Sequence, residues 1–253
     1  LDADGNPEIE KAFSLSLEVL DENSNGFQEK MSAEIGAYEG LDLTSNGVPE
    51  YTGVLAIRFE RTDEIEDGIT EKDKLEFLAY QRLDINEDGA PEFQRALMGT
   101  LQVNDTNSNG NNESAFAAIM AAEMLDMNSN GTPEYAGIIV IAFELHDDND
   151  DGNAEHELLV VLGFQYIDLD EDGTHEAERL FALHAESWDE NSNGVKEKSK
   201  VTALLYEAVD PDDDGEPNIV HVIVYQYEGE DTDEDGEMDN ETVLAMEFFK
   251  KRI

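Results

Sequence analysis

Apolar and polar residues alternate along most of this chain in blocks of about twelve. In the first block Ile9, Phe13, Leu15, Leu17 and Val19 alternate with Glu10, Ala12, Ser14, Ser16 and Glu18. In a later one Tyr51, Gly53, Leu55, Ile57 and Phe59 alternate with Thr52, Val54, Ala56, Arg58 and Glu60. A period of two is the signature of a strand, whose successive side chains point to opposite faces. The run Ile219-Val220-His221-Val222-Ile223-Val224-Tyr225 adds the β-branched and aromatic residues that suit a pleated surface. Alanine in the stretch 115–122, and in the equivalent stretches near Met31 and Val201, would favour helix by intrinsic propensity. The regularity of the blocks nevertheless predicts strands there too.

Between the blocks lie polar loops, each with a glycine at its sixth position. The glycines Gly5, Gly26, Gly47, Gly68, Gly89, Gly110, Gly131, Gly152, Gly173, Gly194, Gly215 and Gly236 follow one another at one constant interval without a slip. A fixed period of this size marks a repeat architecture, in which each unit buries its apolar side only against its neighbours. A longer period overlies it. Leu41-Asp42-Leu43-Thr44-Ser45-Asn46-Gly47-Val48-Pro49-Glu50-Tyr51-Thr52-Gly53 returns four repeats later as Leu125-Asp126-Met127-Asn128-Ser129-Asn130-Gly131-Thr132-Pro133-Glu134-Tyr135-Ala136-Gly137. The same spacing relates Lys11, Arg95 and Arg179, and Phe59, Phe143 and Tyr227. Proline at the eighth loop position (Pro7, Pro49, Pro91, Pro133, Pro217) is confined to odd-numbered loops, which share one end of an up-and-down meander. The third and fourth strands of a unit, such as 138–143 and 158–164, are apolar on both faces, as strands sandwiched between sheets are. The expectation is an all-β protein of twelve antiparallel strands built from twelve loop-and-strand repeats. It forms a single repeat domain over 1–253, grouped as three four-stranded propeller-like or stacked sheets over 1–83, 84–167 and 168–253.

Composition changes the picture through charge. The chain is 40% hydrophobic, enough for a folded protein. Its 15 basic against 62 acidic residues leave a net charge of −47. Such a chain repels nucleic acid and anionic membrane surfaces and attracts cations. The acids are also not scattered. Loop positions 1, 3, 5 and 9 hold 33 of the 62, which sets a metal protein apart from one that merely has an acidic solvated surface. Cysteine is absent, so disulfides and thiolate metal sites are excluded. No run of roughly 18 apolar residues offers a membrane helix. The opening Leu1-Asp2-Ala3-Asp4-Gly5 reads as the middle of a loop rather than a signal peptide, so the numbering is expected to begin at a processing site or within a longer protein.

Oxygen-bearing side chains at alternate positions of a tight loop, with an acid three residues after the glycine, are what a hard cation requires. Calcium takes six to eight oxygens at roughly 2.3–2.6 Å. The candidate ligands, loop by loop, are Asp2, Asp4 and Glu8 in the first; Asp21, Asn23, Asn25 and Glu29 in the second; and Asp42, Asn46 and Glu50 in the third. Asp63, Asp67 and Glu71 follow in the fourth, Asp84, Asn86, Asp88 and Glu92 in the fifth, and Asp105, Asn107, Asn109 and Glu113 in the sixth. The seventh has Asp126, Asn128, Asn130 and Glu134, the eighth Asp147, Asn149, Asp151 and Glu155, and the ninth Asp168, Asp170, Asp172 and Glu176. Asp189, Asn191, Asn193 and Glu197 form the tenth set, Asp210, Asp212, Asp214 and Asn218 the eleventh, and Asp231, Asp233, Asp235 and Asp239 the twelfth. Loops 1, 3 and 4 are the weakest, because the first lacks a residue at position 1 and Thr44 and Ile65 stand at position 3 of the others. Loops 9 and 12, which carry more charge than the Asn-rich loops, are expected to bind most tightly. An EF-hand would need a bidentate acid six residues after the glycine. That position reads Lys11, Ser32, Gly53, Lys74, Arg95, Phe116, Gly137, Leu158, Arg179, Lys200, His221 and Thr242, none of them acidic.

The pattern D-x-[DN]-x-[DN]-G-x-x-[DE] leading into an apolar strand resembles the β-hairpin calcium loops of FG-GAP and VCBS repeats, known from integrin-type propellers, and is similar to the thrombospondin type 3 loop. The resemblance covers all twelve loops and little of the strands. It implies up to about twelve bound calcium ions, which would carry the charge from −47 to about −23. No catalytic constellation stands out. His146, His156, His175, His184 and His221 have no recurring Ser or Cys partner, Trp188 reads as packing, and the chain is not expected to be an enzyme. The expected function is a calcium-stabilised extracellular or cell-surface structural repeat protein, a building block of a filament, surface layer, matrix or adhesin stalk. It would self-associate head to tail, its acidic opening loop meeting Lys250, Lys251 and Arg252. The alternative is a propeller-like, calcium-dependent carbohydrate- or protein-binding module.

Overall fold

The computed structural model of the protein describes residues 8–65 and 67–252. Twelve strands of equal length follow one another: β1 (Ile9–Leu20), β2 (Lys30–Leu41), β3 (Tyr51–Thr62), β4 (Lys72–Leu83), β5 (Phe93–Asn104) and β6 (Ser114–Leu125), then β7 (Tyr135–His146), β8 (His156–Ile167), β9 (Ala177–Trp188), β10 (Lys198–Val209), β11 (Ile219–Glu230) and β12 (Asn240–Lys251). The alanine-rich blocks are strands as the period required. All twelve lie in one open antiparallel sheet in chain order.

Each strand pairs with its successor along its whole length, as from Ile9↔Leu41 to Leu20↔Lys30. The registers are equally complete at β4–β5 and β8–β9, where four-stranded groups would have had to separate. The expected three sheets are therefore one, and no ring of blades exists. The four-repeat rhythm instead recurs on one face of this sheet. Lys11 meets Glu39 at 2.7 Å, Arg179 meets Glu207 at 2.8 Å, and the Arg95 Nε donates to Gln81 at 2.5 Å. Such cross-strand pairs set register locally but are exposed and contribute little stability each.

Among the described residues the strand faces have no second layer on them, which also corrects the expectation of strands sandwiched between sheets. Contacts between strands are confined to chain neighbours. On one face Phe13, Leu55, Leu97, Ile139 and Phe181 of odd strands alternate across the sheet with Ala37, Ala79, Ala121 and Gly163 of even strands, large beside small. That row lines a groove of about 1110 Å³ running across the strands. Even in mid-sheet the apolar residues are open to water: Ile138, Ile139 and Leu162 are all more than two-fifths exposed. His146, His156 and Trp188 stack in succession, with ring centroids 6.1 and 5.5 Å apart, which agrees with a packing role for the tryptophan.

The interior of this protein lies at the sheet's two ends. Among the described residues the one buried hydrophobic side chain is Ala208, whereas the first aspartate of every loop from the third to the twelfth is buried, Asp189 completely and Asp84 to 1% exposure. Strands of uniform length joined by loops of uniform length place the odd loops side by side at one end and the even loops at the other. The ladder runs on into them. The amide of Asp126 donates to the carbonyl of Glu92 at 2.9 Å, and the same bond joins Asp42 to Glu8, Asp84 to Glu50 and Asp168 to Glu134.

Candidate metal centres at the sheet ends

Loop 7, residues 126–134, shows how one unit is built. Asp126 at position 1 turns into the loop and is 5% exposed. Its Oδ1 accepts from the amide of Asn130 at 3.2 Å and its Oδ2 from the amide of Gly131 at 2.7 Å. The Asn128 Oδ1 accepts from the same Asn130 amide at 3.1 Å, the Asn130 Oδ1 from Thr132 at 2.8 Å, and the Glu134 Oε2 from Met127 at 2.6 Å. These Asx-turn bonds wind the backbone around the side chains that positions 1, 3, 5 and 9 supply. The winding needs left-handed backbone at two places: Ser129 has φ +59° and Gly131 φ +92°. Serine, aspartate or glutamate holds that region at position 4, and glycine at position 6 adopts it without strain. A Cβ at Gly131 would meet nothing within 4 Å, so only the backbone resists a side chain. Gly131→Ala is expected to cost about 1–2 kcal/mol, read as a shift of the urea midpoint at fixed calcium.

The same wrapping recurs elsewhere. Position 9 caps the position-2 amide in loops 3, 6, 8, 9, 10 and 12 at 2.6–2.8 Å. Among the described residues, five loops bring three carboxylate oxygens within 4.8 Å of one another: Asp63, Asp67 and Glu71; Asp147, Asp151 and Glu155; Asp168, Asp170 and Asp172; Asp210, Asp212 and Asp214; Asp231, Asp233 and Asp239. Those groups could hold metal ions. Loop 4 is among them although Ile65 offers no ligand, so its remaining acids converge better than its sequence suggests. In loop 12 Asp239, not Asp235, completes the trio. Asp2 and Asp4 lie outside the described residues. Asp21, Asn23 and Asn25, beside the outermost strand, are all exposed, and Asp21 is the one position-1 aspartate among the described residues that is not buried.

Electrostatics mark the sites as short of positive charge. Burial works against the charge of Glu50, yet the amides of Leu43 and Thr44 prevail and hold its carboxyl below the ordinary range. Where aspartates replace amide side chains the balance reverses. Burial and the neighbouring Asp212 push Asp210 up, and Asp235 with Asp239 pushes Asp233 up. Asp213 is pushed to about 6 by burial and by the facing Asp170, Asp172 and Glu176. Buried oxygens without a hydrogen-bond partner point the same way: the Oδ1 atoms of Asp84, Asp168 and Asp210, the Oε1 of Glu113 and the Oδ1 of Asn218. A buried acceptor left unpaired is costly, and a cation satisfies it. Oxygen-only donor sets of this kind suit calcium. Among the described residues, a protein cation also reaches a candidate ligand in two loops. Arg82 reaches Asp84 at 2.5 Å, and Arg252 reaches Asp214 at 2.8 Å.

One set of residues at these centres is missing from the sequence-based ligand list. The side chain at position 4 leaves its own loop and crosses to the loop two repeats earlier, at the same end of the sheet. The Ser129 hydroxyl donates to Glu92 at 2.8 Å, and Ser108 and Ser192 make the same bond to Glu71 and Glu155. Acids at this position instead meet positions 3 and 5. Glu87 accepts from the Thr44 Oγ1 at 2.6 Å and from Asn46, Glu171 accepts from Asn128 and Asn130, and Glu234 accepts from Asn193 at 2.8 Å. Only the amino acid at position 4, compared with the loop two repeats before it, carries a signal of this.

Comparison of the chain with protein-family models, with curated proteins and with solved structures finds no match.

Proposed function

We propose that this is a calcium-stabilised structural repeat protein, a building block of a filament, surface layer, matrix or adhesin stalk. The observation that carries this reading is the place of the interior: acidic ligand positions are buried at the connections while the strand faces stay open. A cation at each connection would supply the cohesion that apolar burial supplies elsewhere. The loop motif's resemblance to FG-GAP, VCBS and thrombospondin type 3 loops supports the same metal. Loops of this kind bind weakly enough to need extracellular calcium, so an extracellular or surface location goes with the proposal.

Assembly is the second half of the proposal. The accessible surface is 14663 Å², against about 11,100 Å² for a compact monomer of this mass. The excess is apolar in large part, with Phe13 70% and Phe249 59% exposed on the two outermost strands. Exposed sheet edges of this length template further strand pairing. Pairing β12 of one copy with β1 of the next, in the register of every other pair, sets Lys250 beside Glu10 and Val243 beside Leu17. Such head-to-tail contact generates filaments or rings. A propeller-like binding module is the weaker reading, since it was motivated by closed blades and the sheet is open. Sedimentation velocity at millimolar calcium is expected to show concentration-dependent assembly that chelator reverses; a single monomeric boundary at every concentration would overturn the assembly half.

A further inference from the structure

We propose that the cation centres of loops 3 to 10 are completed in trans, by the position-4 side chain of the loop two repeats further along, and that this contribution brings all of them but loop 9 to three carboxylates. The proposal rests on the calcium reading above and deepens it.

Loop 6 carries the argument. Its own acids are Asp105 and Glu113, and its positions 3 and 5 are the amides Asn107 and Asn109. Asp150, from position 4 of loop 8, lies against both amides: Asn107 Nδ2 donates to its Oδ2 at 2.7 Å, and Asn109 Nδ2 reaches the same oxygen. The other oxygen, Asp150 Oδ1, is buried without a partner, and so is Glu113 Oε1 of the loop it faces. Two contacting loops thus each bring a buried anionic oxygen without a hydrogen-bond partner, which a shared cation would join. Loop 9 repeats the arrangement. Asp168, 4% exposed, and the incoming Asp213 both hold an unpartnered buried Oδ1.

Charge is distributed to match. Loops 3, 6, 7 and 10 have no acid at position 3 or 5, and each receives one from the loop two further on: Glu87, Asp150, Glu171 and Glu234. Loops 4, 5 and 8 have an acid at position 5, and each receives a serine hydroxyl on its position-9 glutamate instead. Counted with the incoming acid, each of these seven loops is thus allotted three carboxylates, although their own sequences carry two or three, and in loops 4 and 8 the three converge within 4.8 Å. The corresponding position for loop 2 is Glu66, which lies outside the described residues. Loop 9 stands apart with five, because Asp213 joins four acids of its own. Ligand charge tunes the affinity of such centres, so an evenly shared charge sets an even affinity. A centre that borrows a ligand also needs its neighbour folded. Binding along each end of the sheet is therefore coupled from loop to loop.

The test counts ions. Asp150→Ser places at position 4 of loop 8 the residue that already holds left-handed backbone at Ser24, Ser45, Ser108, Ser129 and Ser192, so loop 8 keeps its conformation and its own ligands. Native mass spectrometry in calcium-containing ammonium acetate is expected to find one ion fewer per chain in D150S than in the wild type. The double variant N109D/D150S, which gives loop 6 the pattern of loops 4, 5 and 8, is expected to restore the full count. A D150S count equal to that of the wild type overturns the trans ligand and leaves the calcium reading intact, whereas a wild type without bound calcium overturns that reading itself. If D150S yields no folded protein, the double variant decides. Its full count supports the proposal, and its failure to fold or to regain the ion overturns it.

Discussion

Excess calcium chelator is expected to abolish the cooperative fold, removing the β-sheet circular dichroism at room temperature or lowering the thermal midpoint by tens of degrees. The argument begins with what the chain lacks. A globular protein offsets its conformational entropy mainly by burying apolar surface. Here the strand faces are open, and Ala208 is the one buried hydrophobic residue among those described. What is buried is acid, and without cations the loop carboxylates face one another at both ends of a chain of net charge −47. Sites of roughly 0.1 mM affinity in about 1 mM calcium would each contribute about 1.4 kcal/mol by mass action, and twelve on the order of 17 kcal/mol. That sum exceeds the net stability of about 5–15 kcal/mol usual for a domain. A dichroism spectrum and midpoint that do not change with chelator would show that the sheet needs no metal.

The second large effect is an inversion of the usual ranking of substitutions. Asp126→Ala is expected to destabilise the calcium-loaded protein by about 3–5 kcal/mol, measured from urea unfolding at fixed calcium. It removes the acceptor of the Gly131 amide and one of the two acceptors of the Asn130 amide, hydrogen bonds to a charged group worth about 1.5–3 kcal/mol each. It also removes a ligand from the centre. Leu162, in the middle of β8, is 49% exposed. Leu162→Ala is therefore expected to cost only about 1 kcal/mol, because the side chain gives up half or less of the roughly 1.5–3 kcal/mol of full burial. In a protein held by a hydrophobic core the order would be reversed, and finding that reversed order here would place the cohesion in the strand faces.

Much of this was legible in the sequence. The period of two survived even at 115–122, where propensity pointed to helix, because a meander whose connections are all one length cannot accommodate a single helical segment among its strands. The loop register was equally plain. Backbone amides must be wrapped by side chains at fixed offsets, and glycine must stand where φ is positive, so the counterparts of Asp126 and Gly131 recur in place along the chain. Local chemistry of this kind acts within a single loop, and one sequence is enough to display it.

The number of sheets and the completion of the centres were decided only by the tertiary structure. Alternation shows that Ile138 and Ile139 point to opposite faces but not what, if anything, covers them, so two apolar faces suggested a sandwich where the structure has a single layer. The partnership of Asp150 with Asn107 and Asn109 joins loops two repeats apart. It exists because strands of equal length return every second loop to the same end of the sheet, about two strand spacings, or roughly 10 Å, away. At that distance a side chain standing out from a left-handed residue reaches its neighbour. The sequence determined the loop, the strand and their metre; the packing of equal strands determined which loops meet, and so which side chains of different loops come together.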